Sequence, residues 1–144
     1  MQIKIKKLKP NATIPSKGSQ FSAGFDLHAC ITNSIKIEPG STVKIPTGFA
    51  LEIPNGYAGF VFARSGLATK SGLAPANKVG VCDSDYRGEY VVAIHNHGKM
   101  TIEIKPNERI AQLIFIKVSD FNFVEVEELS ETERNDKGFG STGR

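Results

Sequence analysis

An all-β fold is predicted by three observations. Apolar and polar residues alternate with a period of two along most of the chain, turn residues interrupt that alternation at short intervals, and helical periodicity is nearly absent. In order, Ile3 and Ile5 alternate with Lys4 and Lys6, Ile35 and Ile37 with Lys36 and Glu38, and Ile102 and Ile104 with Glu103 and Lys105. Val124 and Val126 alternate with Glu125 and Glu127, predicting a last half-buried strand. Turns are expected at Pro39-Gly40, Pro54-Asn55-Gly56, His97-Gly98 and Pro106-Asn107, where Pro, Gly and Asn supply the backbone angles. Short strands at such spacing describe a sandwich, a jelly roll or a barrel. The one helical piece expected is Ser65 to Ser71, held to about two turns by the glycines Gly66 and Gly72. There is no repeat of fixed period.

At 144 residues the chain has the size of one domain that can bury its own core. Its 18 basic and 15 acidic residues, net +3, are too balanced to point to a nucleic-acid partner. Cys30 and Cys82 sit among apolar residues without metal-ligand spacing, so both are expected as small buried hydrophobes, not as a disulfide or zinc site. The N-terminal MQIKIKKLKP lacks the apolar run of a signal peptide, and no stretch reaches membrane-spanning length. The expectation is a cytoplasmic or otherwise intracellular protein with no membrane partner.

Four segments carry chemistry. DSDYRGE at 83 to 89 puts three carboxylates, a Tyr and an Arg in a stretch where a turn needs only backbone geometry, and it follows the apolar Val79 to Cys82. It reads as a site on a hairpin, with its acids a possible metal cluster. ARSGLA at 63 to 68 ends an apolar strand, Tyr57 to Phe62, with the guanidinium of Arg64, the Ser65 hydroxyl and the unhindered backbone of Gly66, a set suited to phosphate, though a solvated turn has the same composition. On the strand Ile110 to Ile116, Gln112 is assigned to the face of Ile110 and Ile114, where its amide must be hydrogen-bonded, either within the core or to a ligand. Asp26 stands between Phe25 and Leu27, an edge carboxylate or a ligand contact; His28, His95 and His97 read as structural.

From Ser130 the sequence SETERNDKGFGSTGR holds one large apolar side chain, Phe139. Such a stretch cannot offset its own ordering entropy, so residues 130–144 are expected to be a mobile arm beyond a domain of residues 1–129. GFGSTG could wrap phosphate with backbone N–H groups and hydroxyls, but it lacks the Lys and the helix of a Walker A loop. A frayed terminus is the alternative.

Five segments in order resemble the five motifs of the trimeric dUTP pyrophosphatases (dUTPases): AGFDL at 23 to 27, ARSGLA, NKVGVCDSDYRGEY at 77 to 90, ERIAQL at 108 to 113 and RNDKGFGSTG at 134 to 143. The resemblance spans nearly the whole chain. It implies a jelly-roll β-barrel subunit with a flexible C-terminal arm, a homotrimer with shared sites, and Mg²⁺-assisted hydrolysis of dUTP to dUMP and pyrophosphate. It implies that the hairpin from Asn77 through Val81 to Val91 holds uracil and excludes the thymine methyl, that Tyr86 lies against the deoxyribose, and that Asp83 directs water at the α-phosphorus, which leaves Asp85, Arg87 and Glu89 to shape the hairpin or its subunit contacts and not to form a metal cluster. Arg64, Ser65, Gly66 and Gln112 would handle phosphates, with Gln112 counted beside Asp83 in the catalytic set, and Asp26 would hold hydrated Mg²⁺ through water. The arm would close over a neighbour's site, Phe139 stacking on uracil while Arg134, Gly140, Ser141 and Thr142 reach the outer phosphates.

The sequence departs from the motifs in three places. Cys82 stands where an aliphatic residue is usual, Asn107 where glycine is common, and Asn135 and Lys137 at arm positions that are commonly glycine. Among alternatives, the related dCTP deaminases need a glutamate in a differently composed motif, and a non-catalytic nucleotide-binding regulator would not need Asp83, Gln112 and the arm intact.

Overall fold

Alternating sequence becomes paired strand wherever a second strand can take up its hydrogen bonds. The structure, a computed structural model, describes residues 1–136 and 138. Among them the strands are β1 (Lys4–Lys7), β2 (Ser16–Lys17), β3 (Phe25–His28), β4 (Ile35–Ile37), β5 (Thr42–Pro46), β6 (Phe49–Glu52), β7 (Tyr57–Phe62), β8 (Leu73–Pro75), β9 (Gly80–Cys82), β10 (Val91–Asn96), β11 (Ile102–Ile104) and β12 (Arg109–Lys117). The helix α1 (Ser65–Ser71) lies where the sequence puts it and ends at Gly72, whose φ of 70° is the left-handed cap conformation that glycine accepts most readily.

The strands form small antiparallel groups, β1-β6, β5-β10-β8 and β11-β4, around a five-stranded sheet ordered β2-β3-β12-β7-β9. This is a jelly-roll-like all-β architecture. Two of the sequence alternations pair with each other: Ile102 faces Ile37 and Ile104 faces Ile35, which sets Glu103 opposite Lys36 as a cross-strand charge pair. The inward residues Leu27, Ile37, Ile45, Phe49, Ile94 and Ile104 are fully buried, each contributing about 1.5–3 kcal/mol of hydrophobic stabilisation. Asn96, also fully buried, is satisfied on every side, donating to the Ile37 and Met100 carbonyls and accepting from Gly98 N–H, each at 2.8 Å.

All four expected turns fall between strands. Asn107 takes φ 61°, so it occupies the left-handed conformation in place of a glycine, and its side chain accepts a hydrogen bond from Thr13 at 2.6 Å. Cys30 is buried and Cys82 half-buried, both as free thiols.

Two expectations are corrected. The segment Val124 to Glu127 forms no strand among the described residues; Phe123, Val124 and Val126 are instead exposed. The alternation is real, but no described strand pairs with it, and an unpaired strand gains nothing from its period. Gln112 does not share a face with Ile110. A register shift between Arg109 and Ala111 inserts an extra residue, so Ile110, Ala111 and Leu113 all enter the core while Gln112 lies on the face of Ile114.

Candidate functional site

The hairpin between β8 and β10 encloses a cavity of about 330 Å³, within the range that holds a small ligand. It is lined by Asn77, Val81, Asp83, Tyr86 and Val91, every hairpin residue predicted from sequence, and also by Cys82, Glu89 and Tyr90. The local backbone explains the shape. Lys78 turns the chain at φ 65°, Lys78 N–H donates to the Pro75 carbonyl at 2.9 Å, and Val79 N–H donates to that of Asn77 at 2.7 Å. Gly80 carries no side chain where a β-carbon would lie 3.4 Å from the Asn77 amide nitrogen, so the amide sits close over the strand.

Asp83 is exposed at this cavity, and a second turn follows it, with Tyr86 N–H donating to the Asp83 carbonyl at 3.2 Å. The Tyr86 hydroxyl donates to the Glu89 carbonyl at 3.0 Å, which folds the ring back along its own turn. Arg87 donates to the carbonyls of Ser84 and Tyr86 at 2.6 and 3.2 Å, so its guanidinium braces the turn. Tyr90 is buried and stacked on Phe49, with 5.5 Å between ring centres. Burial pushes both the Cys82 thiol and the Tyr90 hydroxyl above their ordinary values; for Cys82 the negative charge of Asp83 adds to the rise and the Tyr90 hydroxyl opposes it.

A separate polar cluster forms on the five-stranded sheet. β12 lies between β3 and β7, so the sheet brings Asp26, the end of β7 and Gln112 together. Arg64 Nε donates to Asp26 Oδ1 at 3.0 Å, Arg109 donates to Asp26 Oδ2 at 3.2 Å, and Arg64 also reaches the Arg109 carbonyl at 3.3 Å. Gln112 Nε2 donates to the Ala63 carbonyl at 2.8 Å, satisfying half its amide. Its Oε1 lies over Gly24, where a β-carbon would approach to 3.0 Å, so the glycine of AGFDL makes room for the glutamine of ERIAQL. Ser65 and Gly66 open α1, whose first N–H groups lack intrahelical partners. His28 stands on the face of Asp26 with its Nδ1 buried and unpaired among the described residues; burial chiefly lowers its pKa, Asp26 opposing, Arg109 and Arg64 adding to the effect.

As a metal site this cluster is limited to contact through water. Both Asp26 oxygens already accept from guanidinium groups and its side chain is only 16% exposed, so a remaining lone pair can take a proton of a metal-bound water while direct ligation would displace an ion pair. Hydrated Mg²⁺ fits that donor set. No group of three or more ionisable ligand side chains converges among the described residues, so the acids of DSDYRGE are not a metal cluster.

The chain thus assembles the hairpin residues in one place and Asp26, Arg64 and Gln112 in another, and the cavity includes none of the second group. Arg134 is exposed. Asn135 adopts φ 43° and exchanges hydrogen bonds with Thr132, so it too stands in for glycine. Phe139, Gly140, Ser141 and Thr142, with Lys137, lie outside the described residues. Sequence reasoning missed Arg109 and Tyr90. Arg109 had a signal, being the cation of ERIAQL placed three residues before Gln112.

Comparison with known proteins agrees over the whole length. The dUTPase family model matches residues 10–143. Deoxyuridine 5'-triphosphate nucleotidohydrolase of Nautilia profundicola is 48% identical, with all of both chains covered. The protein of that name from Acinetobacter baumannii is 42% identical, covering 100% of this chain and 99% of its own. Among solved structures, the dUTPase of Staphylococcus bacteriophage 80alpha with dUPNHPP superposes with a TM-score of 0.92 at 28% identity, covering 99% of each chain. The dUTPase of phage phi11 of S. aureus, in which a structural Mg(II) ion is coordinated, shares the fold at a TM-score of 0.81 and 23% identity, over 89% of this chain and 98% of its own. No helix among the described residues is long and apolar enough to cross a membrane. On its full-length match in sequence and fold, the chain belongs to the dUTPase family.

Proposed function

We infer that the protein hydrolyses dUTP to dUMP and pyrophosphate by attack of water on the α-phosphorus, limiting uracil in DNA and supplying dUMP for dTMP synthesis. The observation that carries this reading is the 330 Å³ cavity, which puts Asn77, Asp83 and Tyr86 around one nucleoside-sized space. Asn77 and the main chain near Val81 and Val91 hold the uracil edge, and cytosine, with the opposite donor and acceptor pattern, leaves those groups unpaired. Tyr86 closes the sugar side against a 2′-hydroxyl.

Asp83 takes the proton of the attacking water as the new P–O bond forms, and the electrons of the α–β bridging bond leave with pyrophosphate. Arg64, braced by Asp26 and the Arg109 carbonyl, turns its remaining N–H donors to phosphate oxygens, with Ser65, the Gly66 amide and Gln112 beside it. Asp26 would hold hydrated Mg²⁺ through water, and the ion would neutralise charge on the triphosphate. Residues 130–144 act as the arm, Arg134, Phe139, Gly140, Ser141 and Thr142 closing the site once substrate is bound.

We also infer a homotrimer with sites shared between subunits. Two features support it: the nucleoside cavity excludes the Arg64 and Gln112 group, and Phe121, Phe123, Val124 and Leu129 each leave at least 80% of their surface uncovered in the single chain. Pyrophosphate release with Mg²⁺ across dUTP, dTTP, dCTP and UTP tests the activity, and turnover of dUTP alone is expected. Ammonia release from dCTP would replace this reading with a deaminase, and a monomer by light scattering would remove the shared sites.

A further inference from the structure

Thr47 to Phe49 forms a rail bonded to Tyr90, one of the residues lining the hairpin cavity. Thr47 is fully buried, its hydroxyl and its N–H both donating to the Tyr90 carbonyl at 2.6 and 3.1 Å. Tyr90 N–H donates to the Phe49 carbonyl at 3.0 Å, and the two rings stack. Gly48 has φ 77°, and a β-carbon there would fall 2.5 Å from Cys30 Sγ and 2.8 Å from Ala12 Cβ, so this point of the chain is fixed by its neighbours.

Glu89 connects that rail to the cavity. Its carboxylate Oε1 accepts from Gly48 N–H at 2.8 Å in a half-buried setting, and its carbonyl accepts from the Tyr86 hydroxyl at 3.0 Å. The Tyr86 ring lies against Gly88, where a β-carbon would come within 2.5 Å of ring carbon Cζ, so the ring has a backbone surface behind it and a hydrogen bond at its tip. We propose that Glu89 is a positioning residue for sugar selection: by holding Gly48 with its side chain and Tyr86 with its carbonyl, it fixes the ring at the depth that admits deoxyribose and turns away ribose. An acceptor oxygen at this position is required, and its negative charge is not. The proposal rests on the dUTPase reading for its consequence but not for its geometry.

Glu89→Gln keeps the acceptor and Glu89→Ala removes it, leaving the Gly48 N–H unpaired; Tyr86→Phe removes only the hydroxyl. In the ratio of kcat/KM for dUTP to that for UTP, Glu89→Ala and Tyr86→Phe are expected to lose about five- to tenfold, the effect of about one hydrogen bond, while Glu89→Gln stays within about twofold of the parent. Ring order is read independently of any substrate by labelling the tyrosines, of which the chain has three, for NMR. The Tyr86 ring is expected to become more mobile in Glu89→Ala and to stay ordered in Glu89→Gln. An ordered Tyr86 ring and an unchanged ratio in Glu89→Ala overturn the proposal, as does an equal loss in Glu89→Gln. Should Glu89→Ala fail to fold, Glu89→Met, which keeps the length of the side chain without the acceptor, is read in its place by both measurements. A parent protein that does not prefer dUTP refutes the dUTPase reading instead, and the ring order still decides the positioning role.

Discussion

The hairpin cavity and the Asp26 cluster solve different problems with different means. The cavity is built from backbone: turn hydrogen bonds, a residue at positive φ, and glycines that let Asn77 and Tyr86 lie close. Most of its lining comes from one hairpin, with Val61 added from β7, and it is concave in the single chain. The cluster is built from charged side chains drawn from β3, β12 and the cap of α1, Asp26 bridging two arginines that are 38 and 83 residues away. On the proposed function, the difference teaches that the part which discriminates a base is a preformed hairpin, whereas the part which meets a polyanion is a charge-balanced surface that awaits its ligand and another subunit.

The sharpest way to break this division is Asp83→Asn. The fold and the cluster are untouched, so dUTP affinity should persist while kcat falls by about 10²–10⁴, the usual worth of a positioned base; near-normal kcat in a steady-state assay would remove Asp83 from the chemistry. Removing residues 134–144 tests whether the exposed cluster needs a cover. A folded protein of unchanged oligomeric state with kcat reduced about a hundredfold is expected, because misplaced phosphates cost that much. Full activity after truncation would leave the arm without a role.

A smaller effect is expected from Tyr86→Ala, which opens the sugar side without touching the cluster. Preference for dUTP over UTP should weaken by about tenfold or more, since a missing steric wall and hydrogen bond together exceed one ordinary contact; an unchanged preference would place sugar selection elsewhere. The smallest effect belongs to the cluster side. His28 is held below its ordinary value of 6.5, chiefly by burial, so the folded state binds fewer protons than the unfolded chain. Stability from this group is fully present above 6.5 and is lost as pH falls through the lower folded value. His97, lowered by slight burial and by the Lys78 ammonium, acts in the same direction. Melting temperature against pH should therefore slope less steeply on the acid side in His28→Gln than in the parent, and an identical slope would show that burial of His28 carries no such linkage.

The legible and illegible parts of the sequence follow the same boundary. Period and turn residues located α1, the paired alternations of β4 and β11, and the left-handed role of Asn107, because each depends on neighbours in sequence. DSDYRGE could be read as a hairpin site for the same reason, whereas Asn77, Val81 and Val91 were named through the resemblance to the dUTPases. The face of Gln112 was misread because a bulge leaves no mark in a period of two, and Val124 to Glu127 because alternation reports a capacity to pair without reporting a partner. Tyr90 and Arg109 escaped notice because their roles arise from bonds 43 and 83 residues long.

The register shift in β12 also sets where this chain can change length. One extra residue ahead of Ala111 brings Asp26 opposite Gln112 on one side while Gln112 faces Phe62 on the other. Deleting or adding a residue within Arg109–Lys117 would therefore shift the strand against both neighbours at once and turn Gln112 inward, uncoupling Asp26 from Gln112 in a single step. Residues 119–130 carry no ladder of their own in this chain, so insertions there leave both registers intact. Length variation compatible with activity should accumulate after β12 and stay out of it.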